Sequence, residues 1–173
     1  LLTVEGAESA RVVGVPSVPG LRFGEPRLAG QNHFSQVRGG RFVTEVSLSC
    51  GYSSSSIRER VYVGESGYGI LLYTGVAGSE GTLGGLVAVG HRIEDHFERA
   101  LRKARLCSND PVCAHHDPES KYENRHLHGA ACHGCLLIGE TSCERFNQLL
   151  DRALVVPTVA EAGAALFSGI EEA

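Results

Sequence analysis

Two cysteine pairs bound the stretch of sequence that decides this fold, which begins Cys107-Ser108-Asn109-Asp110-Pro111-Val112-Cys113 and ends Cys132-His133-Gly134-Cys135. The second pair is a two-residue knuckle whose glycine accepts backbone angles that other residues resist, so both thiolates can point at one ion. Tetrahedral zinc takes four such ligands, and structural sites supply them as two cysteine pairs joined by a loop. We therefore predict a structural zinc site with four ligands, Cys107, Cys113, Cys132 and Cys135.

Two other states of these cysteines are open from the sequence, namely two disulfides or buried free thiols. A disulfide across a two-residue knuckle is strained and is more often redox-active than structural. The first residues, Leu1-Leu2-Thr3-Val4, lack the basic start and long apolar run of a signal peptide. Six cysteines without a secretion signal fit a reducing cytoplasm, where thiols bind metal, and zinc stays the favoured interpretation.

Size and charge narrow the function classes. The chain has 173 residues, enough for one core with or without an irregular extension. No stretch approaches the ~20 uninterrupted apolar residues of a membrane helix, so no membrane role is predicted. A net charge of −4 argues against a free-standing protein that binds nucleic acid by charge alone. Because the sequence contains no methionine, we expect a piece of a longer protein or a trimmed chain.

Three segments are predicted along the chain. Residues 1–33 carry many glycines and prolines and are expected to be an irregular lead-in or docking arm. Residues 34–158 are expected to form the zinc-binding domain, and residues 159–173 a C-terminal tail or a short helix.

The pattern of apolar residues predicts an α+β fold, a small sheet with helices around it and the zinc loop closing one end. Residues 57–63 and 69–74 are predicted to form a hairpin whose loop is Gly64-Glu65-Ser66-Gly67. The run Ile70-Leu71-Leu72-Tyr73 is apolar on both faces, which is typical of a central, covered strand.

Helices are predicted in three places. Apolar residues at spacings of three and four indicate an amphipathic helix over 91–106, which runs into Cys107. Thr141-Ser142-Cys143-Glu144 matches a capping box and predicts a helix over about 142–155. Residues 41–50 fit both a helix and a strand, and helix is preferred, with Gly39-Gly40 limiting its start.

Four thiolates on zinc leave a formal charge of about −2, which neighbouring groups must offset. Donors suited to this lie in or beside the loop: His115, His116, Arg125, His126, His128 and His133. A histidine or Cys143 could also replace one cysteine ligand. Cys143 is the expected spare because the predicted helix would hold it away from the knuckle, and Cys50 is interpreted as an ordinary buried thiol.

Cations gather on the C-terminal half of the 91–106 helix, at Arg99, Arg102, Lys103 and Arg105. The helix dipole accounts for them without a ligand, because cations stabilise a helix C-terminus. A face that contacts nucleic-acid phosphates is the other interpretation, and both stay open.

The alternative function is a catalytic zinc enzyme of the nucleobase deaminase or hydrolase type. His96-Phe97-Glu98 and the Cys132–Cys135 knuckle partly match the His-x-Glu and Pro-Cys-x-x-Cys motifs of the deaminases. Ala131 stands where those enzymes have proline, and the first cysteine pair intervenes. Four cysteine ligands would leave no open position for water, so we predict no enzymatic activity and no catalytic residue.

Three stretches together resemble a known family. They are Cys50-Gly51-Tyr52-Ser53-Ser54-Ser55-Ser56-Ile57-Arg58-Glu59-Arg60, then Gly69-Ile70-Leu71-Leu72-Tyr73-Thr74 with Ser79-Glu80-Gly81-Thr82-Leu83-Gly84-Gly85-Leu86, and last His128 to Leu136 continuing to Arg152. This set is similar to the C-terminal region of the DrmB family of DISARM anti-phage defence and, more broadly, to the helicase-associated MrfA-type zinc-binding domain.

The resemblance covers about residues 36–158 and implies Zn(2+) on the family's four-cysteine signature, which Cys107, Cys113, Cys132 and Cys135 match by position. It also implies a module that works beside a DrmA-like helicase subunit and meets DNA through that complex. The segment Gln36-Val37-Arg38-Gly39-Gly40 departs from the family, in which a histidine-rich helix leads into the Cys-Gly-Tyr-Ser stretch.

Overall fold

The computed structural model describes residues 11–14, 31–64, 67–74, 85–117, 129–144, 146–148, 150–163, 165 and 167. Two parts make up this fold. A helix–sheet half ends with Ala104, and a cysteine half begins at Arg105. In its described residues the cysteine half has almost no regular secondary structure. The predicted α+β class is confirmed.

The first helix, α1, spans Gln31–Cys50, so helix rather than strand is correct for residues 41–50. Its start lies upstream of the Gly39-Gly40 pair that was predicted to limit it, and that prediction is wrong. Gly40 is instead required for packing, because a Cβ atom at this position would lie 2.1 Å from the Leu136 carbonyl oxygen. The bare glycine lets α1 approach the chain just after the cysteine knuckle.

The sheet has three antiparallel strands, β1 (Arg11–Gly14), β2 (Ile57–Gly64) and β3 (Gly67–Thr74), in the order β1-β3-β2. The pairing of β2 with β3 confirms the predicted hairpin, and β3 is the central strand as expected. Ile70 and Leu72 of β3 are buried. Strand β1 lies within the segment 1–33 and pairs with β3 from Arg11 opposite Leu72.

Two more helices follow, α2 (Gly85–Val89) and α3 (Ile93–Ala104), with a 3-10 turn at Gly90–Arg92 between them. Helix α3 confirms the predicted amphipathic helix, with ends about two residues inside the expected ones. It buries Ala100, Leu101 and Ala104 and carries acidic residues in its first turn and basic residues in its last. This charge order suits the helix dipole. None of the described helices is long and apolar enough to span a bilayer.

Two apolar clusters form the core. The first joins α1, the sheet and α2, and includes Phe42, Val43 and Ile57. The second joins the end of α3 to the cysteine half, and includes Leu101, Leu136 and Val156 among its members. Phe97 packs against both clusters, with its ring edge-on to Phe42 at 5.8 Å and to Phe167 at 6.1 Å between centroids. The two halves therefore share a continuous apolar interior.

The predicted helix over 142–155 is wrong. The described residues between 139 and 151, all but 145 and 149, run through turns and irregular chain, and a 3-10 turn follows at Arg152–Leu154. The reason lies at Phe146 and Asn147, whose φ angles of 53° and 59° are left-handed. The buried Asn147 side chain accepts a hydrogen bond from Ile138 N at 3.1 Å and donates one to Ile138 O at 2.6 Å. These bonds to a residue nine positions earlier outweigh the local capping signal.

Candidate metal centre

The end of α3 places the first cysteine pair. The chain leaves the helix at Ala104 and turns at once, with Asp110 N donating to Cys107 O and Cys113 N to Asn109 O, both at 3.0 Å. The carboxylate of Asp110 accepts a further bond from Cys107 N at 3.0 Å. These bonds fold the seven-residue loop so that Cys107 and Cys113 face the same side.

The knuckle supplies the second pair. The carbonyl oxygen of Cys132 accepts bonds from the backbone N–H groups of Cys135, Leu136 and Leu137 at 3.0–3.1 Å, which closes the turn. A Cβ atom on Gly134 would lie 2.9 Å from Ser108 Oγ and 3.3 Å from Cys107 Sγ. Glycine at this position therefore lets the two cysteine loops meet face to face.

All four predicted cysteines converge. Their sulfur atoms lie within 4.8 Å of one another. Cys107 Sγ is 3.3 Å from Cys132 Sγ, and Cys135 Sγ is 3.8 Å from both Cys113 Sγ and Cys132 Sγ. Each thiol is free, and these separations exceed the ~2.05 Å of a disulfide bond. The alternative of two disulfides is therefore not what the structure has.

The donor set fits zinc. Four Zn–S bonds of about 2.3 Å in a tetrahedron place neighbouring sulfur atoms about 3.8 Å apart. Of the six sulfur–sulfur separations, all within 4.8 Å, two equal that value and one is shorter by half an ångström. In the described part of the chain, no other three histidine, cysteine or acidic side chains gather in this way.

Polar groups already point at the sulfur atoms. The backbone N–H groups of Asn109, Cys132 and Gly134 donate to Cys107 Sγ, Cys135 Sγ and Cys132 Sγ at 3.4, 3.2 and 3.3 Å. The Asn109 side chain adds a bond to Cys132 Sγ at 3.3 Å. Burial alone would raise the pKa of Cys132, but the bonds from Asn109, Cys107 and Gly134 lower it to about 7. This sulfur is thus ready to ionise near neutral pH.

The two buried sulfur atoms behave differently. Burial, reinforced by Cys135, raises the pKa of Cys113 well above its ordinary range, and burial raises that of Cys135 to about 11. Such thiols stay protonated at neutral pH unless a cation stabilises their charge. The arrangement therefore calls for a metal ion to complete it.

Arg152 is the functional residue that the sequence did not single out. Its side chain is 0% exposed, and its guanidinium donates to the carbonyl oxygens of Ala104, Arg105 and Ala130 at 2.9–3.3 Å. It also pairs with Asp110, the residue that holds Cys107. Burial would lower the pKa of Arg152, but Asp110 and the thiols of Cys135 and Cys113 raise it. A fixed positive charge therefore lies beside the cysteine cluster.

The predicted histidine neighbours are placed as follows. His115, His116 and His133 are exposed, and His115 Nδ1 bonds to Pro111 O at 2.8 Å. Arg125, His126 and His128 lie outside the described residues. Asn109 supplies the side-chain bond that histidines were expected to give. Cys143 lies in the helix–sheet core and Cys50 packs beside it, both outside the four-sulfur cluster.

The predicted phosphate-contacting residues are largely ion-paired within the protein. Lys103 and Arg99 both contact the buried carboxylate of Glu45, the latter at 3.7 Å. Arg102 pairs with Glu98 at 2.6 Å. The backbone oxygen of Arg105 accepts a bond from Arg152. Helix α3 therefore presents fewer unneutralised charges than its sequence suggests.

The deaminase-like residues are also engaged elsewhere. His96 is buried, with Nδ1 3.3 Å from Ser49 Oγ and 2.6 Å from an Arg99 nitrogen. Burial, helped by Arg99, lowers its pKa. Glu98 forms the ion pair with Arg102. Neither side chain belongs to the cysteine cluster, so the geometry does not favour the deaminase alternative.

Comparisons with known proteins agree with this centre. Residues 42–136 match the family model described as the MrfA Zn-binding domain. A curated relative, the DISARM protein DrmB of Bacillus paralicheniformis, is 44% identical over 130 residues, which cover 74% of this chain. The aligned region is 23% of that relative, so the chain spans about a quarter of the relative's length.

Proposed function

The chain belongs to the MrfA Zn-binding domain family, and from this premise we propose that it is a zinc-held interaction module of a DISARM-type anti-phage defence protein. Its four ligands would be the cysteines that converge in the structure: Cys107, Cys113, Cys132 and Cys135. Reduced thiols are needed for this role, which suits a cytoplasmic protein.

The convergence of four cysteine sulfur atoms within 4.8 Å carries the proposal. Zinc in structural sites is four-coordinate, whereas catalytic zinc keeps a position open for water or substrate. A site filled by four protein thiolates contributes folding free energy and no reaction centre. We therefore propose a non-catalytic role.

When bound, zinc supplies a cross-link between the two cysteine loops. The protein's own groups do the rest: Asn109 and three backbone N–H groups hold the thiolates, and Arg152 offsets their charge. Arg152 also donates to the carbonyl oxygens of Ala104 and Arg105 at the C-terminal end of α3, so it connects the cysteine loops to that helix. The result is a rigid surface for a partner.

The partner we propose is a DrmA-like helicase subunit, with DNA reached through the complex. Direct DNA binding by this chain would be weak, because its net charge is −4 and three of the α3 cations pair with carboxylates. Tethering to a helicase raises the local concentration of DNA and makes weak contacts useful.

A co-purification experiment tests the module. The Cys113→Ser chain should lose its zinc and its attachment to the helicase partner, while Cys50→Ser should keep both. Zinc is measured by mass spectrometry and attachment by recovery of the partner from a co-expressing strain. Full partner recovery by a zinc-free variant would contradict the proposal.

A salt titration tests the route to DNA. In the assembled complex, the double variant Arg99→Ala/Arg102→Ala should weaken DNA binding. The slope of log affinity against log salt concentration should become shallower by the equivalent of up to about two phosphate contacts. Arg92→Ala, on the exposed approach to α3, is the matched control. An affinity and salt slope unchanged from the unaltered complex would mean that this face of α3 does not meet DNA.

A further inference from the structure

A cleft of about 390 Å³ lies between strand β2 and the turns that follow the knuckle. Glu59 and Cys143 line it and are buried, whereas Glu140, Glu144 and Phe146 line it and are exposed. This cleft is separate from the four cysteines and from the cations of α3. The function proposed above makes no use of its lining residues.

Glu59 is an unusual residue in that cleft. The residue is 3% exposed, and among the described residues its two carboxylate oxygens have no nitrogen or oxygen donor, so the thiol of Cys143 is left as a weak neighbouring donor. Burying an ionised carboxylate without a cation or hydrogen-bond donors costs free energy, because the carboxylate loses its hydrating water and the protein supplies nothing in its place. Such a group calls for an explanation.

Glu45 shows what a satisfied counterpart looks like. It is 4% exposed, as deeply buried as Glu59, and yet both of its oxygens face cations, Lys103 on one side and Arg99 on the other. Among the described residues, the chain thus pairs one buried glutamate with two cations and leaves the second, buried behind the lining of a cleft, without a cation. The difference suggests that the cation for Glu59 comes from outside.

The ionisation of Glu59 agrees with a missing cation. Burial raises its pKa to about 8, the neighbouring Cys143 thiol lowers it in part, and the charge of Glu144 raises it further. An incoming positive charge would reverse the effect of burial and leave the group ionised.

The rim of the cleft is built to present an aromatic ring. Phe146 is 57% exposed and has a left-handed φ of 53°, a conformation that phenylalanine rarely adopts. The next residue, Asn147, fixes this turn through its two bonds to Ile138. Since the structure holds a large apolar side chain out of the core at such a cost, its ring is available to a ligand at the mouth of the cleft.

We infer that this cleft receives an arginine side chain of a partner protein, whose guanidinium pairs with Glu59 while Phe146 packs against it. A guanidinium is planar and offers two parallel N–H groups, which match the two oxygens of a carboxylate, and it stacks on aromatic rings. Lysine has no planar group, so it offers neither the paired N–H groups nor a face that stacks flat on a ring. To reach the carboxylate, the arginine displaces the neighbouring Cys143 thiol. The inference rests on the proposed role as an interaction module.

Charge favours a protein partner over a nucleic acid. With Glu59 ionised, the lining residues that the structure describes carry three carboxylates, Glu59, Glu140 and Glu144, against two guanidinium groups, those of Arg58 and Arg60. Nucleic acid would bring further negative charge to an acidic rim on a chain whose net charge is −4. An arginine neutralises the excess.

The test is an NMR titration of the zinc-loaded chain with N-acetyl-arginine amide, and with N-acetyl-citrulline amide as the uncharged probe of equal shape. Arginine should shift amide signals of residues 57–60 and 140–146, and citrulline should not. Glu59→Gln should weaken arginine binding about tenfold or more, and Phe146→Ala about threefold. Glu94→Gln, an exposed glutamate outside the cleft, should leave binding unchanged.

Three results would overturn the inference: equal shifts from arginine and citrulline, Glu59→Gln binding as well as the unaltered chain, or shifts at this cleft from guanosine monophosphate but not arginine. Zinc content and partner recovery are measured on the same variants. A zinc-loaded chain that recovers its helicase partner but ignores arginine refutes this inference alone. A chain that binds arginine through Glu59 and fails to recover the partner refutes the proposed module instead.

Discussion

The two halves of this protein reach order by different means. The described residues from 31 to 104 (31–64, 67–74 and 85–104) fold into helices and a hairpin, so most of their backbone groups are paired by regular hydrogen-bond ladders. From Arg105 on, the regular element in the described residues is one 3-10 turn. Both halves nevertheless bury an apolar cluster. The contrast teaches that side chains and a metal ion can replace backbone ladders as the source of order.

Three polar side chains make this replacement in the cysteine half. Asn147 bonds to both backbone groups of Ile138, Asp151 accepts from Ala130 N and Ala153 N, and Arg152 donates to three carbonyl oxygens. Each satisfies buried backbone groups that would otherwise lack partners. The four cysteines then hold the loops that these side chains do not reach.

The largest effect is expected from Cys135→Ser. Losing one thiolate should release zinc and cost the cysteine half more than ~5 kcal/mol, because metal binding is part of its folding free energy. Hydrogen exchange should become fast at residues 107–117 and 129–136 while α1 keeps its protection. Cys50→Ser is the matched control and should change stability by less than about 1 kcal/mol. An equal loss of hydrogen-exchange protection in both halves would contradict the claim that zinc orders the cysteine half in particular.

Arg152→Met should have the next largest effect. It leaves the largely buried Asp110 carboxylate without its cation, with the Cys107 N–H still donating to it, and removes the Arg152 donor from three carbonyl oxygens, at a cost of about 3–5 kcal/mol by chemical denaturation. Arg102→Met breaks an exposed pair and should cost under about 1 kcal/mol. Adding Asp110→Asn to Arg152→Met should recover part of the loss. A cost of Arg152→Met equal to that of Arg102→Met would refute the role given to Arg152.

Gly40→Ala tests the contact between the two halves, where α1 packs against Leu136. Alanine favours helix by about 1 kcal/mol over glycine, but here its Cβ would meet the Leu136 carbonyl at 2.1 Å. We expect a net loss of about 3 kcal/mol in thermal unfolding. Gly163→Ala, where a Cβ meets nothing within 4 Å, should be nearly neutral. A stabilised Gly40→Ala chain would mean that α1 does not approach the cysteine half so closely.

Glu59→Gln should show the smallest effect, and one that depends on pH. The pKa of Glu59 rises from 4.5 to about 8 on folding, so its folded form holds a proton that the unfolded chain releases. Stability is therefore full below pH ~4.5 and falls until pH ~8. Relative to the glutamine variant, the unaltered zinc-loaded chain should lose on the order of 2 kcal/mol between pH 5.5 and 7.5 in denaturant unfolding. A stability difference between the two chains that stays constant with pH would contradict the raised pKa of Glu59.

Sequence reasoning succeeded where the signal is local. The spacing of the cysteines led to the zinc cofactor, which family membership confirms, and apolar periodicity predicted α3. The glycines at 64 and 67 marked the turn of the hairpin.

Sequence reasoning failed where contacts outside the local pattern decide the structure. The capping box at Thr141 was outweighed by the hydrogen bonds between Asn147 and Ile138. The pair Gly39-Gly40 was interpreted as the start of a helix, whereas Gly40 is needed for the close approach of α1 to Leu136. Arg152 could not be chosen among sixteen cations, because its partners Ala104 and Asp110 lie more than forty residues away. The unpaired state of Glu59 likewise depends on tertiary burial and has no pattern in the sequence.

X-ray absorption at the zinc edge tests the central claim most directly, because it counts the atoms bound to the metal. Four sulfur atoms at about 2.3 Å, with no nitrogen or oxygen, are predicted for the purified chain. Such a shell leaves no position for water, as a structural site requires. A shell of two or three sulfur atoms with a nitrogen or a water oxygen would contradict the account, since zinc would then be open to chemistry or held by a histidine.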